Sequence, residues 1–454
     1  MGAGRRQSMD STVSMLDETH DLSRRSWVES ANDHADFPIQ NLPIGVFAPF
    51  DAAPRAGIAI GDEIFDLCAT LDCGLFSDDA EHAAQAACGH ALNKYLALAA
   101  RYRRALRLQL SELLAHGGSG RSRVLRASQR LLYPARDCTL MLPARVGDYT
   151  DFVASMHHVE RVCLTAYPRT PVGANFRFMP VAFHGRASTV QISGTEVRRP
   201  RGQFMRLGSR QPEFSHSEAL DYEAEVGLWI GGENRIGEAE TVPRAADRIA
   251  GMCLVNDWSA RDLQRWEAPP LGSFASKNFL TSVSPWIVSS DALAPFRTQA
   301  AERTAGDPQP LDYLHDANDQ RQGAFDIEIE TFLSTPAMAN AGHEPQLIAR
   351  SSLASLYWTP AQMVAHHTVN GCALRPGDLV ATGTVSGVDD SESGCLLELT
   401  RRGIEPLQLV SGEHRTWLED GDELILRGRC ERDGFVGIGF GECRGRVRGD
   451  HRPE

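Results

Sequence analysis

Short apolar runs separated by glycine-containing turns dominate the chain from about residue 37 onward. Residues 44–48 and 57–67 carry branched apolar side chains with a Gly-Asp turn inside the second run, which predicts short β-strands. Alanine and leucine recur at helical spacing over residues 80–96 and 99–114, which predicts two helices that end before a glycine-rich stretch. Pro143 stops the next apolar run, and we expect a domain boundary there.

Beyond residue 146 the pattern of short strands continues almost to the end of the chain. Predicted strands cover residues 190–193, 224–230, 251–256, 286–289, 325–333, 378–382, 396–400 and 423–428. One clear helix is predicted after Asp257, and polar residues 298–322 predict a surface insertion. This spacing is typical of a β-rich roll or barrel with helices on its outside. Residues 1–35 are polar and patternless, and we expect a flexible extension there.

Composition and charge argue against several classes of protein. Hydrophobic residues make up 42% and charged residues 23% of the chain, as in an ordinary globular protein. A net charge of −13 gives no electrostatic case for nucleic acid or acidic membranes as partners. No run approaches the roughly 18 apolar residues of a transmembrane helix. The ten cysteines lack Cys-x-x-Cys spacing and fit a reducing cytosol, so we expect a cytoplasmic protein.

Four acidic residues stand where the sequence predicts strands or tight turns. Glu223 and Glu225 lie two residues apart in an apolar context, so a strand would point both to one side. Asp151 lies in a polar turn, and Asp257 ends an apolar strand, where it could instead cap the next helix. Neighbouring carboxylates are costly unless compensated, and Ca²⁺ or Mg²⁺ prefers oxygen ligands. Taken alone, a Glu-x-Glu pair is more often a solvated strand face, and an aspartate in a loop is more often a turn residue.

Other polar residues stand near these acids or inside apolar segments. Arg261 and Gln264 follow Asp257 by four and seven residues, which predicts a cation and an amide on one helix face. Lys277 lies close to apolar residues, although most lysines are surface groups. Glu398 interrupts an apolar segment, where a buried carboxylate would need a partner such as histidine. Residues 383–387 form a glycine-flanked loop where the backbone could approach a ligand closely. Taken alone, such a loop is more often a plain turn.

Several segments in order along the chain together resemble the fumarylacetoacetate hydrolase family. The matching segments are residues 147–152, 183–188, 221–225, 256–262, 283–286 and 369–372. The resemblance runs from about residue 37 to residue 447. It implies a mainly β, α+β fold, in which a small SH3-like β-barrel domain at residues 36–143 precedes a β-rich roll or barrel catalytic domain at residues 144–454. It also implies assembly as a homodimer.

The resemblance also implies roles for individual residues. The residues that match ligands of a divalent metal, Ca²⁺ or Mg²⁺, are Asp151, Glu223, Glu225 and Asp257, with Lys277 and Thr281 near a second cation. His158, and not His157, matches the general base, and Glu398 matches the residue that orients it. The residues that match groups stabilising negative charge or contacting substrate are Arg261, Gln264, Lys277 and Thr384.

The reaction that the resemblance implies is metal-dependent hydrolysis of a carbon–carbon bond in a small diketo acid. Fumarylacetoacetate would be cleaved to fumarate and acetoacetate, the last step of tyrosine and phenylalanine breakdown. The cation would polarise the carbonyls while His158, steadied by Glu398, takes a proton from water. The alternatives are hydrolysis of a related acylpyruvate or diketo acid, a decarboxylase or hydratase of the same superfamily, and a binding protein without activity.

Four substrate-binding positions depart from the family pattern. Val153, Phe183 and Ala268 stand where the family usually has tyrosine, and Tyr167 stands where it has arginine. These positions match substrate contacts rather than metal or acid–base groups. Because losing a hydroxyl that hydrogen-bonds the substrate can change selectivity by orders of magnitude, the sequence predicts an intact reaction type and leaves the exact diketo acid open.

Overall fold

The N-terminal strands form one antiparallel sheet in the computed structural model, which describes residues 16–50, 52–166, 172–206 and 208–449. Its strands are β1 (Ile44–Pro49), β2 (Arg55–Ile60), β3 (Glu63–Asp66), β4 (Leu132–Pro134) and β5 (Cys138–Met141). The order across the sheet is β4-β3-β2-β1-β5. The helices inserted before β4 are α1 (Leu67–Asp72), α2 (Asp78–Ala87), α3 (Asn93–Leu96), α4 (Ala100–Leu114) and α5 (Arg121–Leu131).

The helical segments of this part differ from the sequence prediction in two places. The helix predicted over residues 80–96 is two helices, α2 and α3, because the chain becomes extended at Cys88 and Gly89 follows. Helix α5 was not predicted, since it is rich in arginine and buries few apolar side chains, among them Val124 and Leu131. Helix α4 matches the predicted segment 99–114 to within one residue.

Residues 16–35 pack against the N-terminal helices instead of extending freely. Val28 and Ala31 are buried in the same apolar cluster as β1 and α4. The Trp27 indole N–H donates a hydrogen bond of 2.8 Å to the carbonyl of Leu113. The expected flexible extension is therefore wrong for this stretch, while residues 1–15 lie outside the described part. The boundary near residue 143 stays a prediction.

The remaining strands build two larger sheets and four short ribbons. They are β6 (Tyr149–Val153), β7 (Val181–His184), β8 (Val190–Ile192), β9 (Val197–Arg198), β10 (Arg201–Phe204), β11 (Glu213–His216), β12 (Leu220–Asp221), β13 (Ala224–Ile230), β14 (Ile249–Asp257), β15 (Ser259–Ala260), β16 (Thr281–Val283), β17 (Val288–Ser289), β18 (Arg297–Thr298), β19 (Ala324–Phe325), β20 (Glu328–Ser334), β21 (Gln346–Ser352), β22 (Leu379–Ala381), β23 (Leu407–Gln408), β24 (His414–Arg415), β25 (Glu423–Cys430) and β26 (Ile438–Arg448). The helices are α6 (Met156–Ala166), α7 (Asn175–Phe178), α8 (Val242–Arg248), α9 (Arg261–Glu267), α10 (Ala317–Gln322), α11 (Pro336–Asn340), α12 (Pro360–Thr368) and α13 (Leu396–Leu399).

The central sheet has the strand order β7-β6-β22-β13-β14-β16-β8, with β17 also paired to β14. Strands β13 and β14 are antiparallel and buried along their whole length, which explains their nearly continuous apolar sequences. The second sheet has the strand order β21-β20-β25-β26-β9. Buried and less buried residues alternate along β20, as in a strand with one covered face. The predicted mainly β, α+β fold class is confirmed.

One local prediction for this part is wrong, one alternative is excluded, and the predicted insertion has structure of its own. Residues 396–400 form the single-turn helix α13 instead of a strand, because the Asp221 carboxylate accepts hydrogen bonds from the first backbone N–H groups of that turn. Asp257 ends β14 and does not cap a helix, since α9 begins only at Arg261. The predicted surface insertion at residues 298–322 contains α10 and the buried Leu314.

Helices α6, α8 and α12 were not predicted either.

In the described part of the chain, every helix is too short or too polar to cross a membrane.

Candidate active site

Four carboxylates meet at one end of the central sheet. Asp151 lies on β6, Glu225 on β13 and Asp257 at the end of β14, while Glu223 directly precedes β13. One oxygen of each carboxylate lies within 4.8 Å of an oxygen of every other, and all four residues are buried. Strand pairing explains the convergence, because these acids lie at neighbouring positions of a single sheet.

The charges of this carboxylate cluster are not balanced by protein groups alone. Burial, followed by the neighbouring carboxylates, raises the pKa of Asp151 and of Glu225 well above the ordinary range. Both Glu225 oxygens and Asp151 Oδ1 are buried and accept no hydrogen bond. Leaving such oxygens unpartnered is costly, and an oxygen-binding divalent cation removes that cost. The donor set therefore fits a hard divalent metal ion.

Lys277 lies directly beside the carboxylate cluster. Its ammonium group donates a hydrogen bond of 2.8 Å to Asp257 Oδ2 and a second one to Glu223. Burial alone would lower the pKa of Lys277, but Asp257 and Glu223 raise it above the ordinary value, so the ammonium stays charged. The Thr281 hydroxyl donates to Asp257 Oδ1 at 2.9 Å. Lys277 also lies 5.9 Å from the ring centre of Phe183, within the range of a cation–π contact.

Arg261 is held in place by two acids and an amide. Its Nε lies 2.8 Å from Asp221 Oδ2, and one terminal nitrogen lies 2.7 Å from Glu223 Oε1. The same nitrogen donates to the Gln264 side-chain oxygen at 3.0 Å, and the Gln264 amide donates to Ser273. The other terminal nitrogen, Nη2, is buried without a hydrogen-bond partner.

A histidine–glutamate pair lies next to the carboxylate cluster. His158 Nδ1, on α6, lies 2.8 Å from Glu398 Oε2, on α13. Ser386 and Cys395 also donate to that oxygen, at 2.9 Å and 3.1 Å, and Arg161 lies 3.4 Å from Oε1. Burial opposes ionisation of Glu398, but these partners, His158 foremost, outweigh it and hold its pKa at about 2. An ionised Glu398 fixes the Nδ1–H tautomer and leaves Nε2 free to accept a proton.

One cavity of about 620 Å³ gives access to both groups. The predicted site residues that line it are Asp151, Val153, His158, Phe183, Glu223, Arg261, Gln264, Ala268, Lys277 and Thr384. The others, Glu225, Asp257, Thr281 and Glu398, contact the lining residues or lie beside them. Tyr167 lies outside the described residues.

Sequence reasoning missed several residues that support this site. Asp221 anchors both Arg261 and α13, while Arg161, Ser386 and Cys395 surround the Glu398 carboxylate. Asp221 lies two residues before Glu223, so the same alternation could have included it. The contact of Arg161 with Glu398 joins distant segments and leaves no local signal, whereas Cys395 precedes Glu398 by only three residues.

Two family models match nearly the whole chain. One, described as "Fumarylacetoacetase N-terminal", matches residues 40–143, and the other, described as "Fumarylacetoacetate (FAA) hydrolase C-terminal", matches residues 148–448. The chain belongs to the fumarylacetoacetate hydrolase family. The resemblance seen in the sequence motifs is thereby confirmed.

Curated fumarylacetoacetases from three organisms align over most of the chain. The one from Oryza sativa subsp. japonica is 42% identical over 433 residues, which are 93% of this chain and 97% of that protein. The one from Arabidopsis thaliana is 42% identical over 429 residues, and the one from Homo sapiens is 40% identical over 426 residues. Both of these alignments cover 93% of this chain and 98% of the relative.

Three positions that the sequence analysis expects to depart from the family pattern line the same cavity. Val153, Phe183 and Ala268 all line the cavity that contains His158 and Lys277. None of these three side chains can donate a hydrogen bond to a substrate.

We expect the substitution Glu398→Gln to lower stability at neutral pH and to matter less as the pH falls. The folded-state pKa of about 2 lies below the ordinary value of 4.5. A lowered carboxyl pKa contributes stability that is fully present above the unfolded-state pKa and is lost as the pH falls toward the folded-state pKa. Urea denaturation of both proteins at several pH values between about 7 and 3 would measure this difference.

The exposed Glu344 offers a matched control, because Glu344→Gln removes a surface carboxylate outside the site. Its stability should follow that of the unchanged protein at every pH. A Glu398→Gln difference that stays constant from neutral to acidic pH would contradict the expectation.

Proposed function

We propose that the protein is a metal-dependent hydrolase that cleaves a carbon–carbon bond of fumarylacetoacetate to give fumarate and acetoacetate. The observation that carries the proposal is the meeting of a histidine–glutamate pair and a carboxylate cluster at one cavity. Identities of 40–42% with fumarylacetoacetases over 93% of the chain support the choice of substrate. The reaction would be the last step of tyrosine and phenylalanine breakdown.

The carboxylate cluster would hold the metal, which we propose to be Ca²⁺ or Mg²⁺. Its four members would supply the oxygen ligands, and a bound cation would polarise the two keto oxygens of the substrate. Lys277 and Thr281 keep Asp257 oriented through direct hydrogen bonds. Their role near a second cation stays a prediction.

His158 is the general base in this proposal. Its Nε2 takes a proton from water, and the hydroxide adds to the carbonyl carbon of the fumaroyl side. Glu398 stabilises the resulting imidazolium through the 2.8 Å hydrogen bond at Nδ1. Cleavage leaves the bonding electrons on the acetoacetate carbon, which then accepts a proton from the imidazolium. One water molecule is consumed, and His158 returns to its neutral form.

Arg261, Gln264 and Lys277 would stabilise the negative charge that develops on the substrate oxygens. All three residues line the cavity, and Arg261 and Lys277 carry the positive charge that this task needs. Thr384, at the loop after β22, lines the same cavity and would contact the substrate. Gly383, with a φ of 75°, lets the backbone turn there.

A second candidate function is hydrolysis of a different diketo acid or acylpyruvate. The apolar side chains at Val153, Phe183 and Ala268 favour this alternative, because they remove hydroxyl groups that the family usually offers to the substrate. A decarboxylase or hydratase reaction is less well supported, because the His158–Glu398 pair is suited to activating water.

We also propose a cytoplasmic homodimer in which residues 36–143 and 144–454 are separate domains. The nine cysteines whose side chains the structure describes are free thiols, which supports a reducing compartment. Analytical ultracentrifugation would test the dimer.

The decisive experiment follows the ultraviolet absorbance of fumarylacetoacetate with the purified protein before and after chelation of divalent metal. We expect turnover that chelation abolishes and that added Mg²⁺ or Ca²⁺ restores. Absence of turnover by folded, metal-loaded protein would refute fumarylacetoacetate as the substrate. Turnover that chelation leaves unchanged would refute the metal dependence.

A further inference from the structure

The cavity is lined by five cationic side chains, and most of them already have partners. The five are Arg206, Arg261, Arg265, Lys277 and Arg402. Arg261 and Lys277 are bound to the buried acids of the site. Arg206, on the exposed rim, forms ion pairs of 2.6 Å with both Glu213 and Glu218. Arg402 also has an interaction of its own.

Arg265 differs from the other four. Its side chain is exposed at the cavity and forms no hydrogen bond or ion pair with the described residues. Its guanidinium group therefore keeps its full set of donors for a ligand.

The position of Arg265 follows from the geometry of α9. Arg261, Gln264, Arg265 and Ala268 are spaced at i, i+3, i+4 and i+7, and all four line the cavity. Arg261 is buried at the carboxylate cluster, whereas Arg265 is exposed one helical turn further along. Helix α9 thus presents two arginines to the cavity. Arg261 is buried and paired with acids, whereas Arg265 lies at the exposed side, the mouth of the cavity, without a partner among the described residues.

Three of the side chains that line the cavity cannot bind a negatively charged group. Val153, Phe183 and Ala268 have no hydrogen-bond donors on their side chains. A substrate carboxylate that lies away from the reacting carbonyls would lose part of its hydration in the cavity, which is costly without a cationic partner.

We infer that Arg265 binds a carboxylate group of the substrate at the mouth of the cavity and thereby selects for anionic diketo acids. The inference rests on the proposed function, in which both products are carboxylates. A planar guanidinium matches a carboxylate with two parallel hydrogen bonds, which are stronger than those between neutral groups. Arg265 is a substrate-binding residue in this account and takes no part in proton transfer.

The test compares the full-length protein with its Arg265→Gln and Arg265→Lys variants in steady-state hydrolysis of fumarylacetoacetate. We expect the glutamine variant to raise KM roughly tenfold or more while kcat changes less than about twofold. Lysine should recover part of the affinity, because it keeps the charge but not the two-pronged geometry. The control is Arg130→Gln, which removes an exposed arginine from the distant helix α5 and should leave both constants unchanged.

Rising salt gives an independent readout. KM of the unchanged protein should increase with ionic strength, and this dependence should weaken in Arg265→Gln. A glutamine variant with unchanged KM would overturn the inference. A loss confined to kcat would overturn it as well, because that result would place Arg265 in the chemistry or in the structure of the site.

Failure of the proposed function can be separated from failure of this inference. If the unchanged protein does not hydrolyse fumarylacetoacetate, fumarate is titrated instead as a dicarboxylate probe and followed by intrinsic tryptophan fluorescence, since Trp417 lines the cavity. Weaker fumarate binding by Arg265→Gln would then support the carboxylate site although the substrate assignment fails. Equal or undetectable binding in all variants would overturn the inference.

Discussion

Replacement of His158 by asparagine is expected to lower kcat for fumarylacetoacetate about 10³-fold or more with little change in KM. Asparagine fills a similar space and can still donate to Glu398, but it cannot take a proton from water. Because the cavity walls and the carboxylate cluster stay intact, substrate should still bind. Steady-state kinetics together with single-turnover measurements would separate the loss in the chemical step from any change in product release.

The neighbouring histidine provides the control for this experiment. His157 lies on the same helix but forms no contact with Glu398, so His157→Asn should retain nearly full activity. Unchanged metal binding by His158→Asn would show that its site is still formed. Substantial turnover by the His158 variant would contradict hydrolysis by a histidine base and favour the decarboxylase or hydratase alternative.

The central sheet could be predicted because its strands are encoded locally. Strands β13 and β14 are apolar on both faces, and their sequences have the branched residues and glycine boundaries of buried strands. Helix α13 could not be predicted in this way. Its four residues adopt a helical turn because Asp221, more than 170 residues earlier, accepts hydrogen bonds from its first N–H groups.

The site was only partly accessible from residue patterns. The two-residue spacing of Glu223 and Glu225 predicts a shared face, and the structure places both in the carboxylate cluster. The pairing of His158 with Glu398 joins residues 240 positions apart, and local patterns contain no information about it. That pair was expected only through the family resemblance. Arg265 lay within reach of sequence reasoning, since it follows Arg261 by one helical turn.

The substitution Glu225→Gln is expected to act in opposite directions on the metal-free and the metal-bound protein. Both Glu225 oxygens are buried without hydrogen-bond partners beside three other acids, and burial with these neighbours raises its pKa. A neutral amide avoids the cost of burying or protonating this carboxylate, so the substitution should stabilise the chelated protein and raise its melting temperature by about 2 °C or more. The same change removes an anionic ligand and should weaken binding of Mg²⁺ or Ca²⁺ at least about 100-fold.

The contrast between the two states separates a metal ligand from a structural acid. A structural Glu225 would stabilise the protein with or without metal, so its replacement would lower the melting temperature in chelator as well. Thermal unfolding in chelator and in saturating metal, with calorimetric titration of each ion, measures both effects. The surface substitution Glu344→Gln should change neither quantity. Loss of stability in chelator, or unchanged metal affinity, would remove Glu225 from the proposed metal site, whereas opposite signs in the two states would establish that the buried charge serves the cation.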